Sequence, residues 1–196
     1  MNIGVYSGSF DPIHVGHLII ASYVVEFADV DEVWFVVSPQ NPFKQGLSLS
    51  DENARLEMVR LALTDFPKLK EDDVELSMPK PSYTIDTLDH LSKKYPQNKF
   101  SLIIGADNWA CFDRWKEPER LIKNYDILIY PRLGFEIKID GELKDKVKIL
   151  DSPIIEISST FIRENISKGK SLKAWLPKET EKYIVEQGLY RKRVGL

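Results

Sequence analysis

Hydrophobic positions along this chain pass repeatedly from short apolar runs to helical spacing. Small and apolar residues alternate through Ile3, Val5 and Ser7 and read as a short buried first strand. Gly8, Ser9, Asp11 and Pro12 break the pattern, as a strand-ending loop does. After Gly16, Leu18, Ala21, Val25 and Ala28 fall on one helical face. Residues 32–37 (EVWFVV) suit a buried second strand, and 38–49, with Pro39, Pro42 and Gly46, read as a loop. Over 51–66, Leu56, Val59, Leu63 and Phe66 share a helical face behind an acidic first turn. A third strand is expected over 74–78, and a helix over 84–95 with Ile85, Leu88, Leu91 and Tyr95 in register. A strand over 100–104 is followed by short helices over 108–114 and 117–123, broken around Trp115 and Pro118, and by a strand over 125–130. The stretch 133–146 has no clear period and reads as a loop with room for one edge strand. A last core strand over 147–150, an extended run over 154–157 and helices over 160–167 and 178–187 close the chain.

This alternation implies an α/β fold, a mostly parallel sheet with helices on both faces. No repeat, low-complexity segment or linker marks a second domain, so 1–196 is read as a single domain. Composition agrees: 43% hydrophobic and 29% charged residues describe a soluble globular chain. A net charge of −3 gives no electrostatic case for nucleic acid or a membrane surface, and no apolar run approaches spanning length. The single cysteine, Cys111, forms no internal disulfide and reads as a small buried hydrophobe; with no signal-peptide layout, a cytoplasmic location is expected. The basic tail at 191–193 reads as a solvated terminus. The oligomeric state is left open, a homo-oligomer included.

Chemistry concentrates at predicted strand ends, where open α/β sheets bind ligands. His14 and His17 enter the first helix three residues apart and point the same way. Gly16 between them lets the backbone approach a ligand, and the helix N-terminus suits phosphate. A zinc pair is the competing reading, but a chain with three histidines and one cysteine is short of further ligands. Lys44, in a Pro-stiffened loop, is either a surface lysine or a cation over phosphates. In Pro81-Ser82-Tyr83-Thr84, Ser82 or Thr84 can cap the following helix. Gly105 permits a sharp turn, and Asp107 suits ribose hydroxyls. Trp115 is either core or a platform for a pyridinium ring, a contact worth roughly 0.5–2 kcal/mol; Trp109 and Phe112 read as core. Ser158 or Ser159 can cap a helix whose start would hold phosphate, with Arg163 one turn on.

The run Gly8-Ser9-Phe10-Asp11-Pro12-Ile13-His14-Val15-Gly16-His17 resembles the G-[ST]-F-D-P-x-H-x-G-H signature of the HxGH nucleotidyltransferase superfamily. Class I aminoacyl-tRNA synthetases share the HxGH core but need a much longer chain. Pro81 to Leu88 (PSYTIDTL), the Gly105-Ala106-Asp107 segment through Trp115 and Pro118, and Ile157 to Arg163 (ISSTFIR) resemble the nicotinate-nucleotide adenylyltransferases in that superfamily. The 41–44 loop departs from that pattern, with Phe43 where the family often has His. The resemblance covers residues 4–163 and implies a Rossmann-like, doubly wound fold. It implies adenylyl transfer from ATP to nicotinate mononucleotide, without a covalent intermediate and with Mg²⁺ carried on the ATP phosphates. It further implies that Gly8, Ser9, Phe10, His14, Gly16, His17, Gly105, Asp107, Ile157, Ser158, Ser159 and Arg163 contact ATP. Ser9, Lys44, Tyr83, Thr84, Asp107 and Trp115 would contact the mononucleotide. His14, His17, Lys44 and Arg163 would supply the positive charge for catalysis. Relatives that use nicotinamide mononucleotide or phosphopantetheine, and a non-catalytic nucleotide sensor, are the alternatives.

Overall fold

In the computed structural model, which describes residues 1–39 and 49–191, six strands form one parallel sheet in the order β3-β2-β1-β4-β5-β6. The strands are β1 (Asn2–Gly8), β2 (Glu32–Val37), β3 (Leu69–Asp72), β4 (Lys99–Gly105), β5 (Asp126–Tyr130) and β6 (Val147–Ile149). The helices are α1 (Val15–Phe27), α2 (Glu52–Ala62), α3 (Thr84–Lys94), α4 (Ala106–Trp109), α5 (Pro118–Asn124), α6 (Ser159–Ile166) and α7 (Lys178–Glu186). None of them is long and apolar enough to cross a membrane.

Period-two alternation in the strands divides the core in two. Tyr6, Phe35, Ile103, Leu128 and Tyr130 point into one apolar layer, packed with residues of α1, α2, α6 and α7. Ile3, Val5, Leu102, Ile104, Ile127 and Ile129 point into the other, against α3 and α5. The order reverses between β1 and β4, which opens a crevice at their carboxyl ends. Among the described residues, the β1–α1 loop, the start of α3, the segment after β4 and the start of α6 all meet at that rim.

The structure refines several of these expectations. The stretch 74–78 is not a strand: Asp72 Oδ1 accepts from the Val74 N–H at 2.8 Å and turns the chain into a 3₁₀ turn at Val74–Ser77. The third strand is the preceding LKED, a charged edge strand with no apolar run to announce it. Over 133–146 no edge strand forms; a 3₁₀ turn at Gly141–Leu143 sits there, and the Trp109 indole donates to the Lys138 carbonyl. Cys111 is half-buried rather than core, its thiol directed at the Asp107 and Asn108 carbonyls.

Candidate active site

The crevice is a cleft of about 540 Å³. Gly8, Ser9, Phe10, His14 and His17 line it from the β1–α1 loop. Tyr83 and Thr84 do so from the start of α3, Gly105, Asp107 and Trp115 from beyond β4, and Ile157, Ser158, Ser159 and Arg163 from α6. Two of the anticipated residues need separate mention. Lys44 lies outside the described residues. Gly16 is buried beside the cleft, and a Cβ there would meet Ile155 Cγ2 at 2.9 Å and His14 Nδ1 at 3.0 Å. Its missing Cβ leaves room for the His14 ring.

His14 is the N-cap of α1, and its backbone N–H donates to His17 Nδ1 at 3.2 Å. Acceptance at Nδ1 puts the proton of a neutral His17 ring on Nε2. The two imidazoles stack, centroids 3.7 Å apart, and the buried Phe10 ring meets His17 edge-on at 5.1 Å. Burial, with the positive charge of Arg132 as a second cause, lowers the His14 pKa from 6.5 to about 3. His14 therefore stands neutral at pH 7 in this state and offers the cleft a polar ring rather than the cation expected of it.

The amino end of α6 docks on the same loop. Ser158 caps the helix, its Oγ accepting from the Phe161 N–H at 3.1 Å. Ser159 Oγ donates to the Pro12 carbonyl at 2.9 Å, and Arg163 Nη1 donates to the Asp11 carbonyl at 2.6 Å. Below the loop, the fully buried Arg55 donates to four carbonyls, those of Ser9, Ser38, Pro39 and Ser50, at 2.7–3.2 Å. Asp11, 1% exposed, accepts from the Tyr190 hydroxyl at 2.6 Å and from the Ser50 N–H at 3.3 Å.

On the far wall, Tyr83 caps α3 without a side-chain bond, while Ser82 Oγ donates to Glu75 instead of capping. The Lys116 ammonium lies over the Tyr83 ring at 4.9 Å. Trp115 packs on Phe112, centroids 5.2 Å apart, and its indole nitrogen is buried without a partner. At Gly105 a Cβ would strike Asp107 Oδ1 and the Tyr130 ring, so glycine lets that carboxylate fold back over the strand end. Arg132 Nε lies 3.4 Å from Asp107 Oδ1, an ion pair without hydrogen-bond geometry. Among the described residues, five buried polar side-chain atoms have no hydrogen-bond partner; His14 Nδ1, Asp107 Oδ1, Trp115 Nε1 and Arg132 Nε belong to residues lining the cleft, and Ser152 Oγ does not.

Arg132 and Glu75 were not anticipated. Arg132 stands two residues past β5, a strand end that the same reasoning could have flagged. Glu75 was hidden by its assignment to a strand.

Comparisons with known proteins match this geometry. The family model for cytidylyltransferase-like proteins matches residues 5–165. A Flavobacterium johnsoniae protein named probable nicotinate-nucleotide adenylyltransferase is 47% identical over 194 residues, 98% of this chain and 100% of its own. The chain belongs to this family. A Bacteroides fragilis protein of the same name is 48% identical over 184 residues, 94% of this chain and 91% of its own. Among solved structures, Plasmodium falciparum nicotinic acid mononucleotide adenylyltransferase complexed with NaAD aligns with a TM-score of 0.79 at 25% identity. That alignment covers 96% of this chain and 97% of the other.

Proposed function

We propose that this adenylyltransferase-family chain transfers the adenylyl group of ATP to nicotinate mononucleotide, giving nicotinate adenine dinucleotide and pyrophosphate. The observation that carries the reading is the two-sided wall of one cleft. His14, His17, Ser158 and Arg163 line one side, and Tyr83, Asp107 and Trp115 line the other. The first set suits a triphosphate, and the second suits a ribose and a flat cationic ring. The mononucleotide 5′-phosphate oxygen attacks the α-phosphorus in line. The bond from that phosphorus to the bridging oxygen breaks, and pyrophosphate leaves with the electron pair. A phosphate oxyanion is already a nucleophile, so the protein's task is positioning and charge stabilisation. Arg163 and the imidazole N–H groups face the phosphates, and Asp107 accepts from a ribose hydroxyl.

Among the described residues the carboxylates of the wall are Asp107 and Glu75, and both Glu75 oxygens are taken by hydroxyls. This donor set fits a Mg²⁺ ion carried on phosphate oxygens and water, with Asp107 the one wall carboxylate among the described residues that hydroxyls do not occupy. That ion would neutralise phosphate charge. The half-buried thiol of Cys111 is compatible with a reducing cytoplasm.

The test is pyrophosphate release from ATP and Mg²⁺ with nicotinate mononucleotide, nicotinamide mononucleotide or phosphopantetheine as acceptor. Turnover with the first at the highest kcat/KM is expected. A preference for another acceptor, or ATP binding without pyrophosphate release, overturns the reading.

A further inference from the structure

Glu75 is 2% exposed, and hydroxyls surround its carboxylate. Oε1 accepts from Ser7 Oγ at 3.1 Å and Thr87 Oγ1 at 3.0 Å; Oε2 accepts from Ser38 Oγ and Ser82 Oγ, both at 2.6 Å. No ion pair to a lysine, arginine or histidine is made by Glu75 among the described residues. A buried carboxylate satisfied by four hydroxyls binds its donors tightly, because each bond is charge-assisted and the medium around it is poorly polarisable.

The four donors come from three places. Ser7 is the penultimate residue of β1, Ser38 follows β2, and Ser82 and Thr87 flank the Tyr83-Thr84 pair that lines the cleft. Thr87 Oγ1 also lies 3.2 Å from the Tyr83 carbonyl, and the Thr87 N–H donates to that carbonyl at 3.1 Å. Tyr83 and Thr84 are thus pinned on both sides through one carboxylate. Ser82 and Thr87, two residues of the PSYTIDTL segment, face this carboxylate and give that segment an internal half.

We infer that Glu75 is a positioning residue for the acceptor side of the cleft, holding the Tyr83-Thr84 wall at a fixed distance from the carboxyl ends of β1 and β2. The two ends of the tether differ in what else restrains them. Ser7 sits in the β1–β2 ladder opposite Val36, so the phosphate side keeps its place without Glu75. On the acceptor side, residues 79–83 belong to no strand or helix and Thr84 only opens α3, so this side depends more on the tether. Loss of the carboxylate therefore weakens mononucleotide binding selectively and leaves ATP binding nearly intact.

This inference rests on the proposed activity, and the experiment separates the two. Wild type, Glu75→Ala and Glu75→Gln are compared for KM of each substrate, for nicotinate mononucleotide Kd by tryptophan fluorescence, and for Tm. In Glu75→Ala, KM and Kd for the mononucleotide rise roughly tenfold to a hundredfold, while KM for ATP changes less than about threefold. Glu75→Gln keeps the shape and one acceptor oxygen and falls between wild type and Ala; it also serves if the alanine variant does not fold. An unchanged mononucleotide KM, or equal rises for both substrates, overturns the positioning role. A wild-type protein that neither binds nor uses the mononucleotide overturns the proposed function instead.

Discussion

Arg163 Nη1 donates to the backbone carbonyl of Asp11 at 2.6 Å, joining two residues 152 positions apart. The second nitrogen, Nη2, lies 3.3 Å from Thr160 Oγ1. One guanidinium thus braces the loop that carries the histidines while it faces the cleft. A lysine has no planar fork and cannot hold both contacts. In Arg163→Ala, kcat/KM for ATP is expected to fall on the order of 10²–10³-fold, and Arg163→Lys to recover only a small part of it. Steady-state pyrophosphate release checks both.

His17 does two jobs with two nitrogens. Nδ1 accepts from the His14 N–H at the start of α1, and in the proposed mechanism the proton on Nε2 serves the chemistry. An asparagine can supply the cap oxygen but not the second donor. His17→Asn should keep Tm near that of wild type and lower kcat by about 10²-fold or more, whereas His17→Ala should lose both. Melting curves and turnover, read side by side, test the division.

His14 gives stability a pH dependence. Its pKa is 6.5 when solvated and about 3 in the fold. Between those values the unfolded chain holds the extra proton, so stability rises with pH. The contribution is complete above 6.5 and is lost as pH falls towards about 3, by up to about 1.4 kcal/mol per pH unit. Urea unfolding between pH 4 and 8 should show this slope, and His14→Ala should flatten it. Arg132→Ala removes the second cause of the shift, leaves burial, and should move the lower limit of the window upward.

The Tyr190 hydroxyl reaches Asp11 Oδ1 at 2.6 Å in a buried setting, which raises the Tyr190 pKa above the usual phenol range, burial first and Asp11 second. Tyr190→Phe keeps the ring and removes one donor from a carboxylate that is 1% exposed. The expected loss is about 1–3 kcal/mol of stability, read by denaturant titration.

Strong local patterns made much of this legible in the sequence. Residues 32–37 and 100–104 are apolar runs that only a two-sided core can bury, and both are central strands. The Gly8–His17 run led to the right strand end because a broken alternation followed by helical spacing has few other solutions. What stayed hidden depends on partners distant in sequence. β3 has the composition of a surface segment, since an edge strand needs little apolar area. Glu75 resembles any surface acid until four hydroxyls from elsewhere converge on it. Arg55 shares a helical face with Val59, but its charge gives no sign of burial; it is fully buried because carbonyls replace its water. The packing of His14 and Ile155 around Gly16 was equally out of reach of the sequence.

The bond from Tyr190 to Asp11 bears on how the molecule is made. A ribosome emits Asp11 179 positions before Tyr190. During translation the histidine loop must wait for its last fastening, so the order of synthesis and the order in which the nucleotide cradle is completed run in opposite directions.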